Sequence, residues 1–229
     1  MLFRSGRLSD IPFHVADTRD MIDPPRPPID VAPAQFQTKM PRGVAVSPDG
    51  RSVVFETLGK LWIKPMAGGA PKRLTKVADS MEAYPSWSRD GKSIVYVSWT
   101  DSDLGQIRVI GQNGGVARTV TRLGGLYSRP RFSPDGRTIV FEKGQGGFLS
   151  SARNSDQPGV YRVASSGGDP VRIAKDFSNP AFADVNDRVF MMESMDGKQR
   201  LVSTDLNGQA KRVHAEGELV NAFEVSPDG

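Results

Sequence analysis

The chain contains no cysteine, which removes disulfide frameworks, thiolate metal sites and cysteine nucleophiles together. Histidine is nearly as scarce. His14 and His214 stand far apart in unrelated contexts, whereas a zinc-type centre draws about three to four protein ligands together. No apolar run approaches the roughly 18 residues of a membrane helix, and no signal-type apolar region opens the chain. There is no Gly-x-Ser-x-Gly elbow, so an esterase-type serine has no support. Neither charge sign dominates: 30 Lys and Arg face 26 Asp and Glu, scattered as on a solvated surface. This balance gives no sign of a nucleic-acid partner. With 38% hydrophobic and 24% charged residues in 229, disordered and fibrous classes are excluded.

Turn-formers are in excess. The 24 glycines and 17 prolines favour many short strands over long helices. They also recur in step. Val46-Ser-Pro-Asp-Gly-Arg-Ser-Val-Val-Phe55, Trp87-Ser-Arg-Asp-Gly-Lys-Ser-Ile-Val-Tyr96 and Phe132-Ser-Pro-Asp-Gly-Arg-Thr-Ile-Val-Phe141 are one motif. A worn copy runs from Phe182 to Met191, and Val225-Ser-Pro-Asp-Gly229 opens a fifth. A second signature trails each copy: Leu61-Trp62-Ile63 then Gly68-Gly69, and Ile107-Arg108-Val109 then Gly114-Gly115. It returns at Val160 to Val163 with Gly167-Gly168, and at Leu201 to Ser203 with Asn207-Gly208.

Each repeat is a recipe for antiparallel strands. Pro fixes φ, Asp caps the turn and Gly takes positive φ. The β-branched and aromatic runs that follow have no helical period and predict buried strands. Four short strands in about 40–45 residues make one propeller blade. A lone blade cannot bury both faces, so blades must stack around an axis. The expected fold is therefore all-β, a β-propeller of four-stranded antiparallel blades at 41–76, 83–122, 127–175 and 178–215. A partial blade at 219–229 leaves the ring incomplete. Residues 1–40 read as an extended segment or linker, since Pro24-Pro25-Arg26-Pro27-Pro28 cannot pair in a sheet. Residues 144–159 read as an insertion between the second and third strands of blade three.

Candidate sites have plainer readings. Asp49, Asp90, Asp135 and Asp228 recur in every repeat, which signals turn architecture rather than one active centre. Gly144-Gln-Gly-Gly147 lacks the third glycine and following helix of a phosphate loop. Asp101-Ser-Asp103-Leu-Gly105 lacks the remaining carboxylates of a calcium loop and predicts a hairpin. His214 reads as a strand residue. The aromatics Phe55, Trp62, Trp87, Tyr96, Phe132 and Phe141 read as core. Arg129 and Arg131 flank Pro130 at the start of an inner strand, with Arg42 and Glu82 at related positions. These four are the expected channel-mouth binding residues, for an anion or a partner's acidic segment, against the plainer alternative of inter-blade ion pairs. No catalytic, cofactor-binding or metal-binding residue is expected within the chain.

The Ser-Pro-Asp-Gly motif followed by a Gly-Gly turn resembles the TolB-like propeller repeat. The WD repeat is less similar, since no Trp-Asp dipeptide occurs. A closer resemblance runs along most of the chain: Ile11-Pro12-Phe13, Met40 through Pro48, Leu58-Gly-Lys-Leu-Trp62, Gly144-Gln-Gly-Gly147, Gly159-Val-Tyr161, and Leu201 through Gly208 with Arg212-Val-His214. These resemble bacterial amidohydrolases with an N-terminal TolB-like propeller. That resemblance implies a metal-dependent hydrolase barrel after the propeller, with the divalent metal held there. It also implies a periplasmic or other extracytoplasmic location. The expected role is then a non-catalytic segment that docks or gates its own catalytic domain, without nucleic acid or membrane insertion. The alternative is a stand-alone TolB-like protein-interaction module of the cell envelope. Met1-Leu2-Phe3-Arg4-Ser5 matches a start codon followed by the adapter-type string CTC TTC CGA TCT. Together with the unfinished last motif, it leads to the expectation of a fragment forming an open arc of blades.

Overall fold

The computed structural model describes residues 2–4, 7–9, 12–26, 30, 32–144, 156–184, 187–195, 197–218, 223 and 225. The chain divides into two units, Met1–Gln37 and Thr38–Gly229. In the first, β1 (Leu2–Arg4) pairs antiparallel with β2 (Arg7–Ser9). The expected extended segment thus contains a short ladder, which the proline-based reading did not foresee. Residues 12–26 have no regular structure, and Phe13, Met21 and Ile22 are exposed.

The second unit holds four four-stranded antiparallel sheets, each a meander in chain order. Blade 1 comprises β3 (Arg42–Val46), β4 (Ser52–Thr57), β5 (Lys60–Pro65) and β6 (Lys72–Arg73). Blade 2 comprises β7 (Met81–Trp87), β8 (Ser93–Thr100), β9 (Leu104–Gly111) and β10 (Arg118–Thr119). Blade 3 comprises β11 (Leu126–Phe132), β12 (Thr138–Gly144), β13 (Gly159–Ala164) and β14 (Val171–Ala174). Blade 4 comprises β15 (Phe177–Phe182), β16 (Arg188–Met195), β17 (Lys198–Asp205) and β18 (Arg212–Gly217). No helix occurs among the described residues. The 144–159 insertion lies largely outside them, and so does part of the worn fourth turn.

The repeated turn forms as its residues dictate. Ser47, Ser88 and Ser133 each donate a hydroxyl to the aspartate two residues on, at 2.6 Å. The same carboxylates accept the backbone N–H of Arg51, Lys92 and Arg137 at 3.0 Å. The serine oxygen then accepts the N–H of the first residue of the next strand. In blades 1 to 3, turn and strand start are therefore stitched by one Ser–Asp pair each.

Blades pack face to face in chain order, β3, β4 and β5 against β7, β7, β8 and β9 against β11, and β11, β12 and β13 against β15. Between blades 1 and 2, Val54, Leu61 and Leu74 meet Trp87, Ile94, Tyr96 and Ile110. Between blades 2 and 3, Val95, Val97, Ile107 and Val120 meet Tyr127, Ile139 and Phe141. Val140, Val160 and Ile173 meet Val189 and Met191 of blade 4. Polar clasps cross the same seams: Trp87 Nε1 donates to the Ala45 carbonyl at 3.0 Å, Arg118 to that of Ser165 at 2.6 Å, and Arg162 to that of Leu206 at 2.7 Å. Of the aromatics expected in the core, Trp87, Tyr96 and Phe141 are buried, while Phe55, Trp62 and Phe132 are only half-buried. Phe55 is the counterpart of Tyr96 and Phe141, which pack on a preceding blade; among the described residues blade 1 has no such neighbour.

Phe141 is fully buried, edge-on to Tyr127 at 5.0 Å and stacked on Tyr161 at 6.0 Å. Phe141→Ala is expected to cost about 3–5 kcal/mol, read as a fall in the denaturant midpoint, while Val116→Ala at an exposed turn leaves it unchanged. A second expectation concerns acid. The serine hydroxyl first, then the backbone N–H, holds Asp49, Asp90 and Asp135 below the usual aspartate range. A depressed folded-state value stabilises the native chain above the unfolded aspartate value of about 3.9, and that stability is lost as pH falls through the folded values. The triple variant Asp49→Asn, Asp90→Asn, Asp135→Asn should therefore melt lower at neutral pH. It should also show a shallower loss of melting temperature below pH 4 than the native protein.

Candidate functional site at the propeller axis

The first strands of all four blades carry the same irregularity. The ladders break between Arg42 and Ala45, Ala83 and Ser86, Ser128 and Arg131, and Ser178 and Ala181. At the break stand Gly43, Tyr84, Arg129 and Asn179, all with φ between 50° and 56°. Three of these are non-glycine residues in the left-handed region, and each precedes a proline: Pro85, Pro130 and Pro180. Non-glycine residues seldom occupy this region, and a following proline restricts them further. At blade 1 the residue is glycine, where a Cβ would lie 3.0 Å from Cδ of Pro85. Such bulges re-aim side chains, and strain of this kind gathers at binding sites.

The bulges converge on one cleft of roughly 580 Å3. Gly43, Tyr84, Arg129 and Asn179 line it with their following residues Val44, Pro85, Pro130's neighbour Arg131, and Pro180. Phe132, Phe182 and Phe223 add apolar surface, and Arg89 a third guanidinium. Val44 and Val46 are 58% and 54% exposed here. Among the described residues, the lining holds three arginines and no carboxylate.

Arg129 and Arg131 thus stand at the cleft, whereas Arg42 and Glu82 are not among its lining residues. Arg42 pairs across the ladder with Glu56, whose carboxyl is pushed up by burial against the opposing pull of Arg42. Arg129 donates to Glu142 at 3.0 Å, and the same Glu142 oxygen accepts the Asn179 N–H at 3.2 Å. One carboxylate therefore ties the bulges of blades 3 and 4 together. Glu82 is buried and accepts the Leu61 N–H at 3.0 Å together with the Thr75 hydroxyl. Burial and then Glu82 push the Tyr96 hydroxyl up to about 12. Glu82, expected at a position related to Arg129, aligns instead with Tyr127, two residues before the left-handed residue of its strand.

Other candidates resolve into structure. Asp101 and Asp103 lie in the hairpin between β8 and β9. His214, on β18, places Nε2 2.7 Å from Oγ of Ser203, which also accepts from Arg188. Ser203 is fully buried, so this contact joins three strands and presents no nucleophile. Among the described residues no three His, Asp or Glu side chains gather as metal ligands. The described part also has no helix long and apolar enough to cross a membrane.

Four meandering blades around a shared axis, with this turn chemistry, define a TolB-like β-propeller fold. No family model matches the chain. An uncharacterised protein of Agrobacterium fabrum, Atu1656, is 31% identical over 205 residues, spanning 80% of this chain and 66% of that protein. The Tol-Pal system protein TolB of Francisella tularensis is 37% identical over 83 residues, 36% of this chain and 17% of TolB. The uncharacterised peptidase YuxL of Bacillus subtilis is 29% identical over 101 residues, 43% of this chain and 15% of the peptidase. The chain thus spans less than a fifth of the length of these last two relatives. Among solved structures, a TolB-type protein of Agrobacterium tumefaciens superposes with TM-score 0.59 at 24% identity, over 75% of this chain and 63% of that one. TolB of Acinetobacter baumannii gives 0.58 at 17% identity, over 74% and 42%. Puromycin hydrolase gives 0.53 at 14%, over 78% and 29%.

Glu82→Ala strands the buried Leu61 N–H and is expected to cost about 1–3 kcal/mol. Glu82→Gln, which keeps an acceptor oxygen, should lose less than half as much in the same urea titration. Equal losses would show that the two hydrogen bonds to this carboxylate contribute little to the seam between blades 1 and 2.

Proposed function

We propose that this propeller is a non-catalytic docking module whose axial cleft holds a protein segment carrying acidic and apolar side chains. The carrying observation is the cleft lining: three arginines, of which Arg129 is held by Glu142 behind it, and a ring of apolar surface, with no carboxylate among the described lining residues. Guanidinium groups take carboxylates in bidentate fashion, and the exposed valines with the half-buried phenylalanines offer apolar surface for anchors. In the first reading the docked segment belongs to the catalytic barrel of a larger, metal-dependent amidohydrolase of which this propeller is one part. The resemblance in the repeats supports it, as does the partial match to the far longer YuxL peptidase and puromycin hydrolase chains. In the second reading the partner is a separate envelope protein; the 83-residue similarity to TolB favours it. Both readings place the chain outside the cytoplasm.

A photo-crosslinking residue at Val46, exposed in the cleft, separates these readings in the source cell. A crosslink to a metal-dependent hydrolase domain on the same polypeptide supports the first. A crosslink to a distinct envelope protein supports the second. In either case the triple variant Arg89→Glu, Arg129→Glu, Arg131→Glu should reduce the product at least tenfold. A product unaffected by that charge reversal would sink the proposed recognition.

A further inference from the structure

A second feature, independent of the axial cleft, lies where blade 1 hands over to blade 2. The segment between β6 and β7 turns three of its backbone carbonyls toward a single point. The oxygens of Val77, Ala78 and Ser80 all accept from Nζ of Lys60, with Val77 at 3.1 Å and Ala78 at 2.6 Å. Arg73 also donates to the Val77 carbonyl. Lys60 is delivered by the tight turn between β4 and β5, where Leu58 and Gly59 have φ of 54° and 68°. The Gly59 carbonyl accepts the Glu82 N–H at 2.9 Å, so turn and connector are fixed on both sides of the cage. A further oxygen belongs to the same place in the chain: Oγ of Ser80 is buried and without a hydrogen-bond partner.

Converging neutral carbonyls are what a protein uses to replace the water around a cation. Here an ammonium group fills that role. Calcium and magnesium sites draw on carboxylates, whereas three neutral carbonyl oxygens offer no charge to offset a dication's dehydration. The geometry points to a cation-binding loop at residues 77–80, built for a monovalent ion of ammonium size and occupied in the native chain by Lys60. We infer that a chain without the Lys60 ammonium takes potassium at the same carbonyls. The native protein, carrying its own cation, is indifferent to which salt surrounds it.

Thermal midpoints of the native chain, Lys60→Ala and Lys60→Met test this in potassium, sodium and N-methylglucamine chloride at one ionic strength. The native chain should melt alike in all three. Lys60→Ala, which vacates the cage, should melt lower in N-methylglucamine and recover several degrees in potassium, saturating with concentration. Lys60→Met, whose methyl group fills the cage without charge, should melt lower and show no preference among the salts. The inference is overturned if Lys60→Ala melts at one temperature in all three salts, is unfolded in all three, or responds to potassium no more than the native chain. None of these outcomes bears on the axial cleft, so this inference and the docking proposal stand or fall separately.

Discussion

A blade with apolar side chains on both faces cannot exist alone in water, and this constraint governs the second unit. Alternation along each strand sends Ile94 and Tyr96 to one neighbour and Val95 and Val97 to the other. Each seam buries a cluster from two blades, and area removed from water contributes about 25 cal/mol per Å2. The polar clasps of Trp87, Arg118 and Arg162 are single hydrogen bonds by comparison; they set how the blades are rotated more than how strongly they adhere. Blade 1 shows the same rule from the other side, since Phe55 stays partly exposed where its counterparts Tyr96, Phe141 and Met191 are buried.

The axis inherits its properties from that stacking. Sheets arranged radially bring their first strands together, and a bulge in each turns the residues after it toward the centre. The cleft is therefore a product of four identical backbone events in which only the side chains differ: glycine, tyrosine, arginine and asparagine. Repetition supplies the frame and variation supplies the chemistry. The cleft's arginines come from blade 2 (Arg89) and blade 3 (Arg129 and Arg131), and Arg129 is already paired with Glu142.

The blades were legible from the sequence because their signals are local. A Ser-Pro-Asp-Gly turn and the β-branched run after it need only neighbours within a few residues, and the hydroxyl-to-carboxylate contacts at Asp49, Asp90 and Asp135 follow directly. Arg129 and Arg131, which flank Pro130 in the sequence, both line the cleft. Glu82 stands six residues before Ser88, as Tyr127 does before Ser133, whereas Arg129 stands four before; the spacing from the repeated serine, not the charge pattern, carried its true place. The left-handed residues at Tyr84 and Asn179 left a trace in the X-Pro dipeptides, yet proline alone marks many kinds of bend. The Lys60 cage left no trace, since backbone carbonyls have no letter in the sequence. The contact of Ser203 with His214 depends on pairing between β17 and β18, whose register no single strand encodes.

The prolines at the bulges carry one further consequence. In a radial arrangement the first strand of every blade is an edge strand, with a free row of backbone donors and acceptors running along the axis. Such rows are templates for stray strands from other chains. Pro85, Pro130 and Pro180 delete a donor at the middle of three of those edges, and the left-handed residue before each bends the row out of line. The open axis can thus receive side chains while refusing a continuous β-ladder. Blade 1, with Val44 at the equivalent place, keeps its donor and is the edge along which the axis is least protected from unwanted strand pairing.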